Sequence, residues 1–219
     1  DGDRIVAGVS SYMPGDPVIV WNVSDAGMLQ VLIPETLVVR HLSLSPCGEW
    51  LVTAGYFFHM LWNTATGQLV HTVRTDIYSH ELSFVMTRGA DRIASIEGDC
   101  AAIRRGTGEF EVSICAGTVQ ALAFLPDGKR LLVLTVREAA VWDVALRRRV
   151  RLLEDGLGPD TYGVSVSYGG RVAAACGGGG HWTPIWMRVW DLPTGRLLYS
   201  FPTFDAEAEV QVELPDCSV

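Results

Sequence analysis

A unit that returns about every 40 residues constrains this chain more than any other feature. Each unit holds an alternating apolar stretch, a Gly-containing turn and a second apolar stretch. A third stretch ends in Trp plus a small polar or acidic residue, and a fourth follows. The endings are Val20-Trp21-Asn22, Leu61-Trp62-Asn63, Val141-Trp142-Asp143 and Val189-Trp190-Asp191, with a worn copy at Ile103-Arg104-Arg105. The Trp or Trp-equivalent position falls at 21, 62, 104, 142 and 190, spacings of 41, 42, 38 and 48 residues. A repeat of this size cannot bury its apolar faces alone and must stack on its neighbours.

The pattern within each unit is β. Runs of Val, Leu, Ile and Ala are apolar on both faces, as expected of sheets sandwiched between sheets. Asp127-Gly128 and Gly169-Gly170 supply tight-turn chemistry, and Ala65-Thr66-Gly67 and Pro193-Thr194-Gly195 do so later in their units. No 3.6-residue periodicity stands out. The expectation is an all-β chain of about five four-stranded units, whose strands are labelled a to d from the inside outward. They cover approximately 4–34, 37–74, 80–116, 118–154 and 162–202, with an orphan strand at 209–214.

Ser45-Pro46-Cys47-Gly48, Leu125-Pro126-Asp127-Gly128, Val141-Trp142-Asp143-Val144 and Val189-Trp190-Asp191-Leu192, in register along the chain, resemble the WD-repeat proteins. The resemblance implies a β-propeller with these units as blades. That family most often has seven blades, so the chain is expected to be part of a larger propeller. The alternative is that the orphan strand completes blade one and closes a five-bladed ring. The opening at Asp1, in a unit that lacks its a strand, is likewise read as a segment of a longer protein. The Gly-His dyad of many such repeats is missing, so the family's His–Ser–Trp–Asp hydrogen-bonded tetrad cannot be complete. Stability should rest on apolar packing. The long b–c loop Gly8 to Trp21, with Pro17 before the Trp strand, and the loop Gly177 to Trp186 look like those of tandem-propeller microtubule and ciliary WD-repeat proteins.

Net charge is −8, which argues against a nucleic-acid groove. No apolar run is long enough for a membrane helix. The five cysteines, Cys47, Cys100, Cys115, Cys176 and Cys217, lack C-x-x-C spacing and read as free thiols, which points to a reducing, intracellular compartment; the resemblance implies a cytoplasmic, cytoskeletal or ciliary one.

Reactive constellations are missing from the pattern. There is no G-x-S-x-G, and His41, His59, His71, His80 and His181 are scattered, so neither a catalytic set nor a metal cluster is expected. The Gly177-Gly178-Gly179-Gly180 run lacks the Lys-Ser/Thr of a phosphate loop. No cofactor is expected. Polar a-strand residues His41, Ser43, Glu81, Ser83, Gln120, Ser165 and Ser167 could line a central channel, which keeps an enzyme or small-ligand propeller as the alternative. The basic run Arg147-Arg148-Arg149-Val150-Arg151 reads as solvated edge charge or a patch for an acidic partner. Aromatic and Met side chains crowd three b–c loops: Tyr12 and Met13, then Tyr56, Phe57 and Phe58, then Trp182 and Trp186. These are the candidate protein-binding residues of a non-enzymatic interaction scaffold, because large aromatics anchor protein interfaces.

Overall fold

The structure is a computed structural model that describes residues 4–8, 17–22, 27–32, 39, 41–55, 58–74, 84–155, 161–178 and 185–202. The described residues form nineteen strands and no helix. The first sheet holds β1 (Arg4–Gly8), β2 (Val18–Asn22) and β3 (Met28–Leu32). The second holds β4 (His41–Leu44), β5 (Trp50–Ala54), β6 (Phe58–Asn63) and β7 (Leu69–Arg74). The third holds β8 (Phe84–Met86), β9 (Arg92–Glu97), β10 (Cys100–Arg105) and β11 (Phe110–Ile114). The fourth holds β12 (Val119–Phe124), β13 (Arg130–Thr135), β14 (Ala139–Asp143) and β15 (Arg148–Leu152). The fifth holds β16 (Thr161–Val166), β17 (Val172–Gly177), β18 (Trp186–Asp191) and β19 (Leu197–Pro202). Every sheet is an antiparallel meander in chain order. The orphan strand expected at 209–214 lies outside the described residues.

The core is divided into slabs, each lying between two successive sheets. Val18 and Val20 pack with Leu51, Met60 and Trp62; Val52, Ala54 and Leu61 pack with Phe84, Met86 and Ile93. Ile103, Val112 and Ile114 pack with Leu122, Leu131 and Val133, and Leu132, Leu134 and Val141 pack with Ala173, Ala175 and Trp190. Successive residues of one strand therefore serve opposite slabs, as a period of two requires. Leu51 and Val52 part to the first and second slab, Leu131 and Leu132 to the third and fourth. The inner strands β4, β8, β12 and β16 touch one another in sequence. Sheets packed face to face and joined along their inner strands fan around one axis.

The Trp signature has a packing cause. Trp62 and Trp190 each lie in the slab shared with the preceding sheet, and Trp142 packs against the slab toward sheet three. Trp190 is fully buried. Removing such an indole costs about 3–5 kcal/mol. The residue after Trp has a different task. Asn63 Oδ1 accepts from the N–H groups of Ala65 and Thr66, both at 3.0 Å. Asp143 Oδ1 accepts from Leu146 N–H at 2.8 Å, and Asp191 Oδ2 from Thr194 N–H at 3.2 Å. Each side chain closes its c–d turn as an Asx turn.

The a–b turns repeat bond for bond. The N–H groups of Ser45, Thr87, Leu125 and Ser167 donate to the carbonyls of Trp50, Arg92, Arg130 and Val172, all at 2.8–3.0 Å. Three of the four turns put Gly48, Gly128 or Gly170 at the left-handed position; the third sheet uses Ala90 with φ 54°. Between sheets, Gly195 (φ +79°) brings its turn onto the preceding outer strand so closely that a Cβ would sit 2.6 Å from the Leu152 carbonyl oxygen. Arg92 ties sheet three to sheet four, donating to both carboxylate oxygens of Glu111 (2.9 and 2.7 Å) and to the Gly128 carbonyl (3.0 Å). The Arg92 bond holds the Glu111 carboxyl below its ordinary pKa.

The polar interior is sparse and differs from sheet to sheet. Trp62 Nε1 donates to buried Thr53 Oγ1 at 2.9 Å. Trp190 Nε1 reaches the Glu154 carbonyl at 2.9 Å. Trp142 Nε1 is buried without a partner, because Val133 stands where the register of sheet two places Thr53. In sheet three Arg104 replaces Trp and pairs with Glu97, which also accepts from Ser95 Oγ at 3.0 Å. Thr53→Val should therefore lower unfolding free energy by about 1–2 kcal/mol in urea titrations, whereas Val133→Thr should raise it by up to about 1 kcal/mol. Equal effects of the two substitutions would contradict the assigned partners.

His41 and His59 flank Phe84, with ring centroids 6.1 and 4.9 Å away. Burial lowers both pKa values. For His59, burial first and the Arg104 charge second push it from 6.5 to about 4. The unfolded chain thus binds a proton that the folded chain refuses. Stability is full above about pH 6.5 and falls as pH drops towards 4, with about 2 kcal/mol from His59 lost by pH 5. Urea midpoints measured between pH 7 and pH 5 should show this slope, and His59→Phe should flatten it; an unchanged slope would refute the assignment.

Candidate functional site

Alternation of strand direction places all a–b and c–d turns on one face of the fan and the b–c loops on the other. On the turn face, the a–b turns of sheets two to five surround a cavity of about 400 Å³. Met86, Phe124, Leu125 and Val166, from the ends of the inner strands, give it an apolar lining, together with Pro46 and Pro126. Thr87, Arg88, Ser167 and Tyr168 add polar groups. Arg88 Nη1 donates to Tyr168 Oη at 3.0 Å, linking sheet three to sheet five past sheet four. The guanidinium carbon also lies 5.8 Å from the Tyr168 ring centre, within cation–π range. Tyr168 is 73% exposed.

The turns that carry these groups are held from inside. Ser167 Oγ accepts from Val172 N–H at 3.0 Å, and Thr87 Oγ1 accepts from Arg92 N–H at 3.1 Å. Cys47 Sγ lies 2.8 Å from the Arg88 carbonyl and joins two neighbouring turns. The cavity thus has a rigid rim. It can take an apolar group with a polar or anionic edge. No nucleophile paired with a base lines it, and among the described residues no three His, Cys, Asp or Glu side chains converge as metal ligands.

A second cavity of about 400 Å³ lies between sheets two and three, lined by Trp50, Leu61, Val70, His71, Asp91 and Arg105 among others.

Of the candidate protein-binding residues, Tyr12, Met13, Tyr56, Phe57 and Trp182 lie outside the described residues. Phe58 opens β6 and is half-buried against the slab between sheets one and two. Trp186 opens β18, half-buried against the slab between sheets four and five, with the Arg188 guanidinium 5.6 Å from its ring centre. Of the channel candidates, Ser167 reaches the turn-face cavity, while His41, Ser43 and Gln120 are half-buried on inner strands and Ser165 is exposed. Sequence reasoning missed Arg88 and Tyr168. The signal was an aromatic inside Ser167-Tyr168-Gly169-Gly170, where a tight turn must push it into solvent.

The cysteine reading is corrected at one pair. Cys100 and Cys115 form a disulfide. They face each other because Ala101 pairs with Ile114 in the ladder between β10 and β11, so the residues one step beyond are also opposite. Spacing rules for metal and redox motifs do not detect a pair set by strand register. Cys47 and Cys176 are free thiols. With a disulfide present, the cysteines no longer point to a reducing compartment.

No protein-family model matches the sequence, and no curated protein is similar to it. Among solved structures the chain is similar to the hydrazine synthase of Kuenenia stuttgartiensis, with a TM-score of 0.62 and 16% identity over 74% of this chain. The match spans 48% of that chain's length. The fold is a β-propeller. The five sheets are its blades, and at this identity the likeness carries the architecture and no chemistry.

A denatured but unreduced sample should titrate three thiols per chain with Ellman's reagent and five after reduction, given five cysteines and the Cys100–Cys115 bond. Five thiols before reduction would remove the disulfide.

Proposed function

We propose that this propeller is a non-enzymatic protein-interaction scaffold of the WD-repeat type, working within a larger assembly such as a cytoskeletal or ciliary one. The observation that carries the reading is the turn-face cavity, an apolar recess with Arg88 and Tyr168 at its edge and no reactive pair. A site of this kind suits an apolar side chain of a partner, with Tyr and Arg as anchors. The WD-repeat assignment is supported by the Trp62–Thr53 hydrogen bond and by the Asn or Asp that closes each c–d turn after Trp. The residues Tyr12, Met13, Tyr56, Phe57, Phe58, Trp182 and Trp186, singled out by type in the sequence, are the second proposed contact set.

One observation favours a second reading. A volume of about 400 Å³ falls within the range of small-molecule sites. A ligand-binding propeller would show a thermal shift with a metabolite, and Arg88→Ala would abolish it.

The scaffold reading is tested by affinity capture with three forms of the chain. They are the wild type, Arg88→Ala/Tyr168→Ala, and Tyr12→Ala/Trp182→Ala/Trp186→Ala. At least one variant should lose a partner held by the wild type; for Arg88→Ala/Tyr168→Ala the melting midpoint should stay within about 2 °C of wild type, because both residues are exposed and contribute little to stability. Retention of every partner by both variants would reject these surfaces and the scaffold reading built on them.

A further inference from the structure

The outermost strand of blade four differs in kind from the other outer strands. Every residue of β15 is exposed. It reads Arg148-Arg149-Val150-Arg151-Leu152, with Arg147 at the preceding turn, in a chain of net charge −8. The outer strands β7, β11 and β19 have no such run. Glu138 engages Arg149 at 2.8 Å, whereas no ion pair or hydrogen bond engages the guanidinium groups of Arg147, Arg148 or Arg151 among the described residues. The nearby carboxylates are committed elsewhere: Asp143 accepts from Leu146 N–H and Glu154 from Leu197 N–H. Three guanidiniums on one strip are therefore left to solvent.

The backbone of the same strand is open. β15 pairs with β14 on one side and ends its sheet on the other, its outer edge open from Arg148 to Val150, where the Gly195 turn of blade five does not reach; that turn covers the Leu152 carbonyl. An outer edge with free N–H and C=O groups is a template for another strand. Val150 and Leu152, 48% and 50% exposed, add apolar surface between the charges.

Arginines on an edge normally discourage strand pairing, and here they do so selectively. A second β15 would bring like charges opposite each other and is repelled. A strand with carboxylates on alternate residues meets the guanidiniums with opposite charge and forms charge-assisted hydrogen bonds while the backbone ladder forms. We propose that β15 is a docking strand for an extended acidic segment of a partner protein, added edge to edge to blade four. The proposal rests on the scaffold reading and names the chemistry of one partner.

The test is fluorescence anisotropy on the full chain with a labelled ten-residue peptide in which Glu alternates with Val or Thr. Three comparison probes are a peptide of the same composition with its Glu residues in one block, a peptide with Lys in place of Glu, and a labelled DNA duplex. The alternating peptide should bind most tightly and weaken steeply between 50 and 300 mM salt. Arg148→Glu/Arg151→Glu should weaken it at least about tenfold. Arg171→Glu/Arg196→Glu on blade five should change it less than about twofold. Both variants should melt as wild type does.

Three results would overturn the proposal. They are equal binding of the block peptide, unchanged binding by the β15 variant, and tighter binding of the duplex through the same arginines. Each concerns β15 alone, so partner capture through Arg88 and Tyr168 would distinguish this failure from failure of the scaffold reading.

Discussion

Contact between the apolar faces of successive sheets is the interaction on which the whole molecule depends. No sheet here has a core of its own. Each middle strand sends alternate side chains into two different slabs, so Leu131 and Leu132, adjacent in sequence, stabilise different pairs of blades. This explains why the strands are apolar on both faces and why Ala is frequent where sheets approach closely. It also explains why Trp recurs at one position, where a large flat side chain fills the wide part of the wedge toward the preceding blade.

The turns convert that packing into a fixed frame. Four a–b turns share one hydrogen-bond pattern, and the c–d turns are closed by the residue that follows Trp. With the turns set in this way, the residue between the turn positions is free to vary. The chain uses that freedom at Arg88 and Tyr168, which project from equivalent turns of blades three and five and meet. Blade three shows the tolerance of the scheme. It has lost its Trp and the left-handed Gly of its first turn, yet its Arg104–Glu97–Ser95 cluster and its Cys100–Cys115 bridge hold the outer strands in place.

Much of this architecture was legible in the sequence because it follows from local rules. Alternating apolar runs, Gly at left-handed turn positions and Trp with Asn or Asp mark the strands in order. What could not be read came from pairing across the sheets. The disulfide depends on the register of β10 against β11, and spacing along the chain carries no trace of it. The cavity depends on four turns converging from blades about 40 residues apart. The lowered pKa of His59 depends on its burial and on Arg104 from another blade. The aromatic loop candidates stand out by residue type alone, and the two that are described, Phe58 and Trp186, spend part of their surface on the slabs.

The interior is given over to packing, which leaves the turn face and the outer strands as the surfaces on which the proposed scaffold would meet a partner. The most direct check of the packing account is a set of nuclear Overhauser contacts from the Trp indoles to assigned methyl groups. The account predicts contacts from Trp190 to methyls of blade four and from Trp62 to Val18 and Val20 of blade one. Indoles in contact only with their own sheet, or with the following one, would contradict it.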